Sequence, residues 1–253
     1  IQICRNSFSE RKNIDITQPG NGTLYLVSTP IGNLEDITLR ALNILKQVDF
    51  ILAEDTRNAS HLLQHFGISK KIISYFSYNE ERRIPRIIEE LEQGKSIALI
   101  ADAGTPLISD PGLRLVAAAI RQQITVVPIP GASALMCALV GAGIPTDRFV
   151  FEGFLPRKKG RTRMLEQLAA EPGTIVLFES PYRVQKTVED IVKIMGNRYI
   201  VVARELTKKF EEFIRGYAAD ILVELSQRKL RGEVVILIAG TDFIINYNPK
   251  NGP

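Results

Sequence analysis

Three short stretches hold the residues whose types and spacing can do chemistry. Residues 100–112 read IADAGTPLISDPG, an apolar run that ends in two aspartates, two glycines and two prolines. Residues 53–57 read AEDTR and place Glu54 and Asp55 directly after another apolar run. Residues 156–163 read PRKKGRTR, five positive charges in eight residues around Gly160. Carboxylates at strand ends can hold the polar groups of a ligand or take a proton from a weak nucleophile. A glycine turn lets a ligand approach backbone N–H and C=O groups closely, and proline fixes a loop beforehand, lowering the ordering cost of binding. A dense basic loop is either a solvated surface or a clamp on a phosphate backbone.

Similar punctuated loops recur at 28–38 (STPIGNLEDIT), 128–134 (PIPGASA) and 179–183 (ESPYR). Ordinary turns explain any one of the five loops, but five at successive strand ends point to a ligand read mainly through the backbone. Such a site suits a polar, adenosine-sized molecule. Other chemistries are excluded by what accompanies their motifs. GKS at 94–96 imitates the end of a P-loop, but Glu89 stands where the first glycine belongs and an apolar strand follows. No G-x-G-x-x-G follows a strand. His61 and His65 lie one helical turn apart with no third ligand in view, so no metal is expected. Phe149, Phe151 and Phe154 read as core.

The elements that must position these residues alternate between strand and helix. Strands are expected over 24–29, 50–54, 72–76, 96–101 and 124–129, with helices near 36–48, 57–66, 80–93, 112–121 and 132–140. Asp110 and Pro111 read as the N-cap and first turn of the fourth helix. The unbroken apolar strands predict a parallel sheet covered on both faces, with its ligand beyond the carboxyl ends. Gly141–Thr146 is the candidate hinge. A second half follows, with strands at 149–153, 174–179, 199–205, 210–216 and 233–240 and helices near 163–170, from Ser180-Pro181 to Met195, and near 218–227. The expected organisation is a leader (1–22), an α/β domain with a parallel sheet (23–143), an α/β domain with a mixed sheet (147–241) and a tail (242–253), with a cofactor cleft between the two α/β domains.

Bulk properties narrow the class further. The 253 residues are 45% hydrophobic and 24% charged, ordinary for a globular protein. Thirty-two basic against 28 acidic residues give +4, too mild to diagnose nucleic-acid binding, so the position of the charge matters more. Cys4 and Cys137 make neither a disulfide framework nor a metal spacing and fit a reducing cytosol. No apolar run reaches the roughly 18–20 residues of a membrane span.

TPIGNLEDITLRAL, AEDTR, DAGTPLISDPG, PIPGASA, DRFVFEGFLPRKKG and ARELTKKFEE, taken together, closely resemble the ribosomal RNA small subunit methyltransferase I family. The match runs from about Thr23 to Gly240, and the family is similar in fold to the tetrapyrrole (class III) S-adenosylmethionine methyltransferases. The resemblance implies 2'-O-methylation of a cytidine ribose in the decoding centre of 16S rRNA, in the 30S subunit, by a cytoplasmic homodimer that needs no membrane or metal. It implies S-adenosylmethionine as cofactor, with S-adenosylhomocysteine as product, held by Pro30, Asp102, Ala103, Gly104, Thr105, Ile108, Ser133 and Phe178. Glu54 and Asp55 are the candidate catalytic carboxylates. Arg157, Lys158, Lys159, Arg161 and Arg163 are the candidate RNA contacts. Family members commonly carry histidine where this chain has Tyr182, and longer members add a small helical appendage at the C-terminus. The alternatives are a same-fold enzyme acting on a tetrapyrrole-like small molecule, against which the basic loop argues, and a non-enzymatic RNA-binding or assembly module, which leaves the strand-end loops unexplained.

Overall fold

The computed structural model describes residues 22–243. The expected leader (save Gly22) and tail (save Asp242 and Phe243), and Cys4 with them, lie outside the described residues. Contacts group the described residues into two compact units. One holds the residues up to Ser28 together with Thr38–Pro130; the other holds Thr29–Ile37 together with the residues from Gly131 onward. The segment 141–146 therefore lies inside the second unit.

The first unit is a five-stranded parallel sheet of β1 (Thr23–Val27), β2 (Phe50–Ala53), β3 (Lys71–Ser74), β4 (Ile97–Ile100) and β5 (Thr125–Ile129), in the order β3-β2-β4-β1-β5. FILA in β2 and IALI in β4 are buried at every residue, as the central strands of a sheet covered on both faces must be. Its helices are α1 (Leu39–Gln47), α2 (Thr56–His65), α3 (Glu80–Glu92) and α4 (Leu113–Arg121). Ile87, Leu91, Leu115 and Ala119 of α3 and α4 pack with Leu24, Leu52, Ile97 and Leu99 in one core. β1 and β4 are neighbours, yet β1 leads away past β4 to β2 while β4 leads past β1 to β5. Right-handed crossovers put those two connections on opposite faces, which opens a crevice beyond the carboxyl ends of β1 and β4.

The second unit is a mixed sheet of β6 (Phe149–Phe154), β7 (Thr174–Glu179), β8 (Tyr199–Arg204), β9 (Glu212–Tyr217) and β10 (Val234–Ile238). The order is β6-β7-β10-β8-β9, with only β6 and β7 parallel. One face packs against α6 (Arg161–Leu168), α7 (Val184–Met195) and α8 (Ala218–Gln227) through Leu165, Val188, Ile191 and Ile221. The other packs against α5 (Ala134–Gly141) through Leu135 and Leu139, and this core also takes in Ile31. That shared core is why residues 29–37 group with the second unit.

Three helix starts differ from the sequence reading. The helix expected from Asp36 is a 3-10 turn over Leu34–Asp36 followed by α1, because Asn33 and Thr38 each cap their own start. The N-cap of α4 is Gly112, not Asp110, and Pro111 precedes the helix. Asp110 is instead half-buried and feels the charge of the carboxylates described below. α7 starts at Val184 rather than beside Ser180, because residues 181–183 form a turn in which the Arg183 amide donates to the Ser180 carbonyl.

Candidate active site

The carboxyl ends of β2 and β4 bring together carboxylates that lie far apart in sequence. Asp102 follows β4 and binds the start of α2: its Oδ1 accepts from the Asp55 amide at 3.0 Å and its Oδ2 from Asn58 Nδ2 at 3.2 Å. Asp55 is the N-cap of α2, accepting from the Arg57 amide at 2.8 Å and from the Arg57 guanidinium at 2.7 and 3.1 Å. These hydrogen bonds hold Asp55 down at a pKa of about 2. Its carboxylate is committed, and it makes a poor proton acceptor. Glu54 differs. It accepts no hydrogen bond among the described residues, and partial desolvation, then the charge of Asp102, raise its pKa. Burial, then the charges of Glu54 and Asp102, push Asp110 up to about 6. Glu54 and Asp110, whose proton affinity is raised in this way, are suited to exchange a proton. A cavity of about 450 Å³ beside them is lined by Glu54, Asp55, Arg57, Phe76, Tyr78 and Asp102, within the size range of small-molecule sites.

The 102–112 loop reaches this edge with unusual backbone. Gly104 has φ +86° and Gly112 has φ +134°, and two residues with side chains, Leu107 (+72°) and Ser109 (+67°), also lie in the left-handed region. Each of the latter costs roughly 1–3 kcal/mol and persists only where its surroundings enforce it. The enforcing contacts are visible. Ser28 Oγ and Thr105 Oγ1 are 3.1 Å apart, tying the ends of β1 and β4. At the far end, the buried Glu80 carboxylate accepts from the Gly112 amide at 2.9 Å and from the Tyr75 hydroxyl at 2.8 Å. A Cβ on Gly112 would meet Leu99 Cδ2 at 2.7 Å. Of the cofactor candidates in this unit, Gly104 is buried, Thr105 and Ile108 are half-buried, and Asp102 and Ala103 face solvent. Sequence reasoning missed Glu80, whose place in the first turn of α3 looks like ordinary helix-end charge.

The remaining candidates belong to the second unit. Pro30 is half-buried beside Ile31, and Ser133 is the N-cap of α5. Phe178 on β7 stacks edge-to-face with Phe151 and Phe154, at centroid distances of 4.9 and 5.8 Å. Tyr182 is 94% exposed.

The basic run splits in two. Arg157, Lys158, Lys159 and Arg163 are exposed. Arg161 is not free to meet RNA: it is buried, its Nε donates to Asp190 at 2.9 Å and its Nη2 donates to Thr187 Oγ1 at 2.8 Å. Thr187 in turn donates to Glu179, whose side chain is 1% exposed. Burial pushes Asp190 up, but hydrogen bonds from Arg161 and Lys186 outweigh it and hold the carboxyl low. Arg161 therefore anchors the start of α6 to α7 and to the end of β7. Among the described residues no group of three or more His, Cys, Asp or Glu is arranged to hold a metal ion, and no helix is long and apolar enough to cross a membrane.

Residues 23–222 match the family model for tetrapyrrole (corrin/porphyrin) methylases. Ribosomal RNA small subunit methyltransferase I of Halalkalibacterium halodurans is 48% identical over 220 residues, 87% of this chain and 76% of that protein. Its counterpart in Thermotoga maritima is 46% identical over 221 residues, 87% of this chain and 100% of that protein. The chain belongs to the ribosomal RNA small subunit methyltransferase I family. Solved structures show the same fold at low identity. Diphthine synthase superposes with a TM-score of 0.68 at 16% identity, covering 86% of this chain and 90% of that one. Uroporphyrin-III C-methyltransferase from Thermus thermophilus, complexed with S-adenyl homocysteine, gives 0.62 at 15%, covering 86% and 97%. This member of the rRNA small subunit methyltransferase I family is thus a methyltransferase with the tetrapyrrole-methylase fold, and its carboxylate cluster and left-handed loop lie where open parallel sheets place their ligands.

Proposed function

We propose that the chain methylates the 2'-hydroxyl of a cytidine in the decoding centre of 16S rRNA, using S-adenosylmethionine, on the 30S subunit, in the cytoplasm and as a homodimer. The observation that carries the proposal is the identity of 46–48% over nearly nine-tenths of the chain to proteins named as small subunit rRNA methyltransferases. The cytidine, the ribose position, the decoding centre and the dimer rest on the motif resemblance.

The residues present fit the cofactor. Gly104 at φ +86° presents backbone without a Cβ, and the exposed Asp102 carboxylate stands beside it. Asp102, Ala103, Gly104, Thr105 and Ile108 would hold it. Bound S-adenosylmethionine supplies an activated methyl group on a sulfonium, which leaves as the neutral thioether S-adenosylhomocysteine. The enzyme has then to align the ribose oxygen and remove its proton. Glu54 would take that proton, and its raised pKa makes it the stronger base of the AEDTR pair. Asp55 keeps α2 capped. Arg157, Lys158, Lys159 and Arg163 grip RNA phosphates, and Arg161 fixes the helix that follows the loop and carries Arg163. A small-molecule substrate would leave those four exposed cations without a role.

The test is to incubate 30S particles lacking the modification with the protein and labelled cofactor, and to map methylated riboses. A single new 2'-O-methylcytidine in 16S rRNA is expected. Label on a base, on another ribose or on no RNA at all contradicts the proposal.

A further inference from the structure

A second charged surface lies at the opposite end of the first unit's sheet. Lys71 opens β3, Phe50 opens β2, Lys95 stands just before β4, and Arg82, Arg83 and Arg86 project from α3. With Asp49 and Glu90 they line a groove of about 650 Å³ over an apolar floor that includes Ile73 and Ile87. Five cations face two carboxylates, and both carboxylates are already engaged. Asp49 Oδ2 accepts from the Ser96 amide at 2.8 Å. Glu90 pairs with Lys95 and, at 3.9 Å, with Arg86; its hydrogen bond to Lys95 is the main reason its carboxyl is held low.

Lys71, Arg82 and Arg83 are left over. Among the described residues their side chains make no hydrogen bond and no ion pair, and Arg83 Nε is buried with no partner. A desolvated donor without an acceptor is costly, and native structures satisfy such groups with a ligand or ordered water. Guanidinium groups beside a lysine, over an apolar floor, are suited to gripping phosphate oxygens, which arginine binds in a two-pronged fashion. Lys71 comes from a strand start and Arg82 and Arg83 from neighbouring positions on a helix, rather than from one loop closing on a point. That spacing fits a run of phosphates better than a single anion.

We infer that the groove between β3 and α3 is a second RNA-binding surface, in which Lys71, Arg82 and Arg83 hold the phosphate backbone of the rRNA substrate. The inference rests on the proposed rRNA substrate and extends it to a face that none of the candidate site residues occupies. The groove lies one strand length from the carboxylate cluster, roughly 13 Å at 3.3 Å per residue, so losing it should leave cofactor binding intact.

The experiment compares three full-length proteins for affinity to purified 30S subunits across a salt series. They are wild type, the Lys71→Ala/Arg82→Ala/Arg83→Ala groove variant, and an arm variant with Arg157, Lys158, Lys159 and Arg163 changed to alanine. Each single-strand phosphate contact contributes roughly 0.7 to the slope of log affinity against log salt. The groove variant should therefore flatten the slope by about 2 while binding S-adenosylmethionine as wild type does. A Lys71→Arg/Arg82→Lys/Arg83→Lys variant, which keeps the charges, should retain most of the slope and controls for misfolding. A groove variant with an unchanged slope beside an arm variant with a flattened one overturns the inference and leaves the rRNA reading standing. A wild-type protein that binds 30S subunits without salt dependence overturns both.

Discussion

The two ends of the first unit's sheet are made from the same five strands and do opposite things with charge. At the carboxyl end burial, then neighbouring carboxylate charge, raises the proton affinity of Glu54 and Asp110, and the loop beside them holds Gly104, Leu107, Ser109 and Gly112 at positive φ. At the amino end Lys71, Arg82 and Arg83 stand on regular strand and helix backbone, and among the described residues their side chains form no ion pair. The difference follows from parallel topology. Crossovers deliver loops and helix N-termini to the carboxyl end, so backbone groups and strained turns gather there and can fix a reacting geometry. The amino end receives helix C-termini, the loops after them and strand starts. It can supply charge, which gives affinity without demanding exact placement.

Substitutions at the carboxyl end should break the chemistry, and the largest effect is expected at Glu54. Glu54→Gln removes the proposed proton acceptor and should lower kcat by about 10²–10³ with the cofactor KM within a few-fold. Asp55→Asn should instead weaken the α2 cap, costing roughly 1 kcal/mol of stability with a smaller loss of turnover. The rate should rise with pH as Glu54 loses its proton. Asp102→Asn removes a like charge and should move that rise to lower pH, as a pH profile of single-turnover rates will show.

The next effect is structural. Glu80→Ala strands the buried Tyr75 hydroxyl and the Gly112 amide, which should cost about 2–4 kcal/mol in urea unfolding. The same change loosens the 102–112 loop and should raise the cofactor Kd.

The smallest effect distinguishes the two ends by pH. The pKa of Asp110 is about 6 in the folded protein against an ordinary carboxylate value near 4 when unfolded. Between those values the folded state holds the extra proton, so this residue's contribution to stability falls as pH rises through about 6. Asp110→Asn removes that penalty. It should stabilise the protein at pH 7 by less than about 1 kcal/mol, given the partial screening by solvent, and the gain should vanish near pH 4. Neutralising Lys71, Arg82 and Arg83 should move none of these three readouts.

The central strands were legible because burial on both faces leaves a short unbroken apolar run between turn signals, as in FILA and IALI. The loop at 102–112 was legible because glycine and proline punctuate it. What its residues do locally was not. Asp110 before proline has the form of a helix cap, yet Gly112 takes the cap, and Asp110 is half-buried in the field of the carboxylates at 54 and 102. Arg161 sits in a basic run like its neighbours. Only the fold shows that Asp190 and Thr187, more than twenty residues on, bury it. Glu80 and the groove cations share this difficulty, since their partners or companions are spread along the chain and no local period connects them.

The central claim is that the 102–112 loop at the carboxyl end is the cofactor seat. Calorimetric titration of S-adenosylmethionine into wild type and Gly104→Val tests it most directly. Valine is strongly disfavoured at φ +86° and places branched carbon where the loop offers bare backbone. The account predicts binding to wild type and a loss of at least about 100-fold, or about 2.7 kcal/mol, in a Gly104→Val protein that remains folded by circular dichroism. Unchanged affinity in a folded Gly104→Val protein would contradict it.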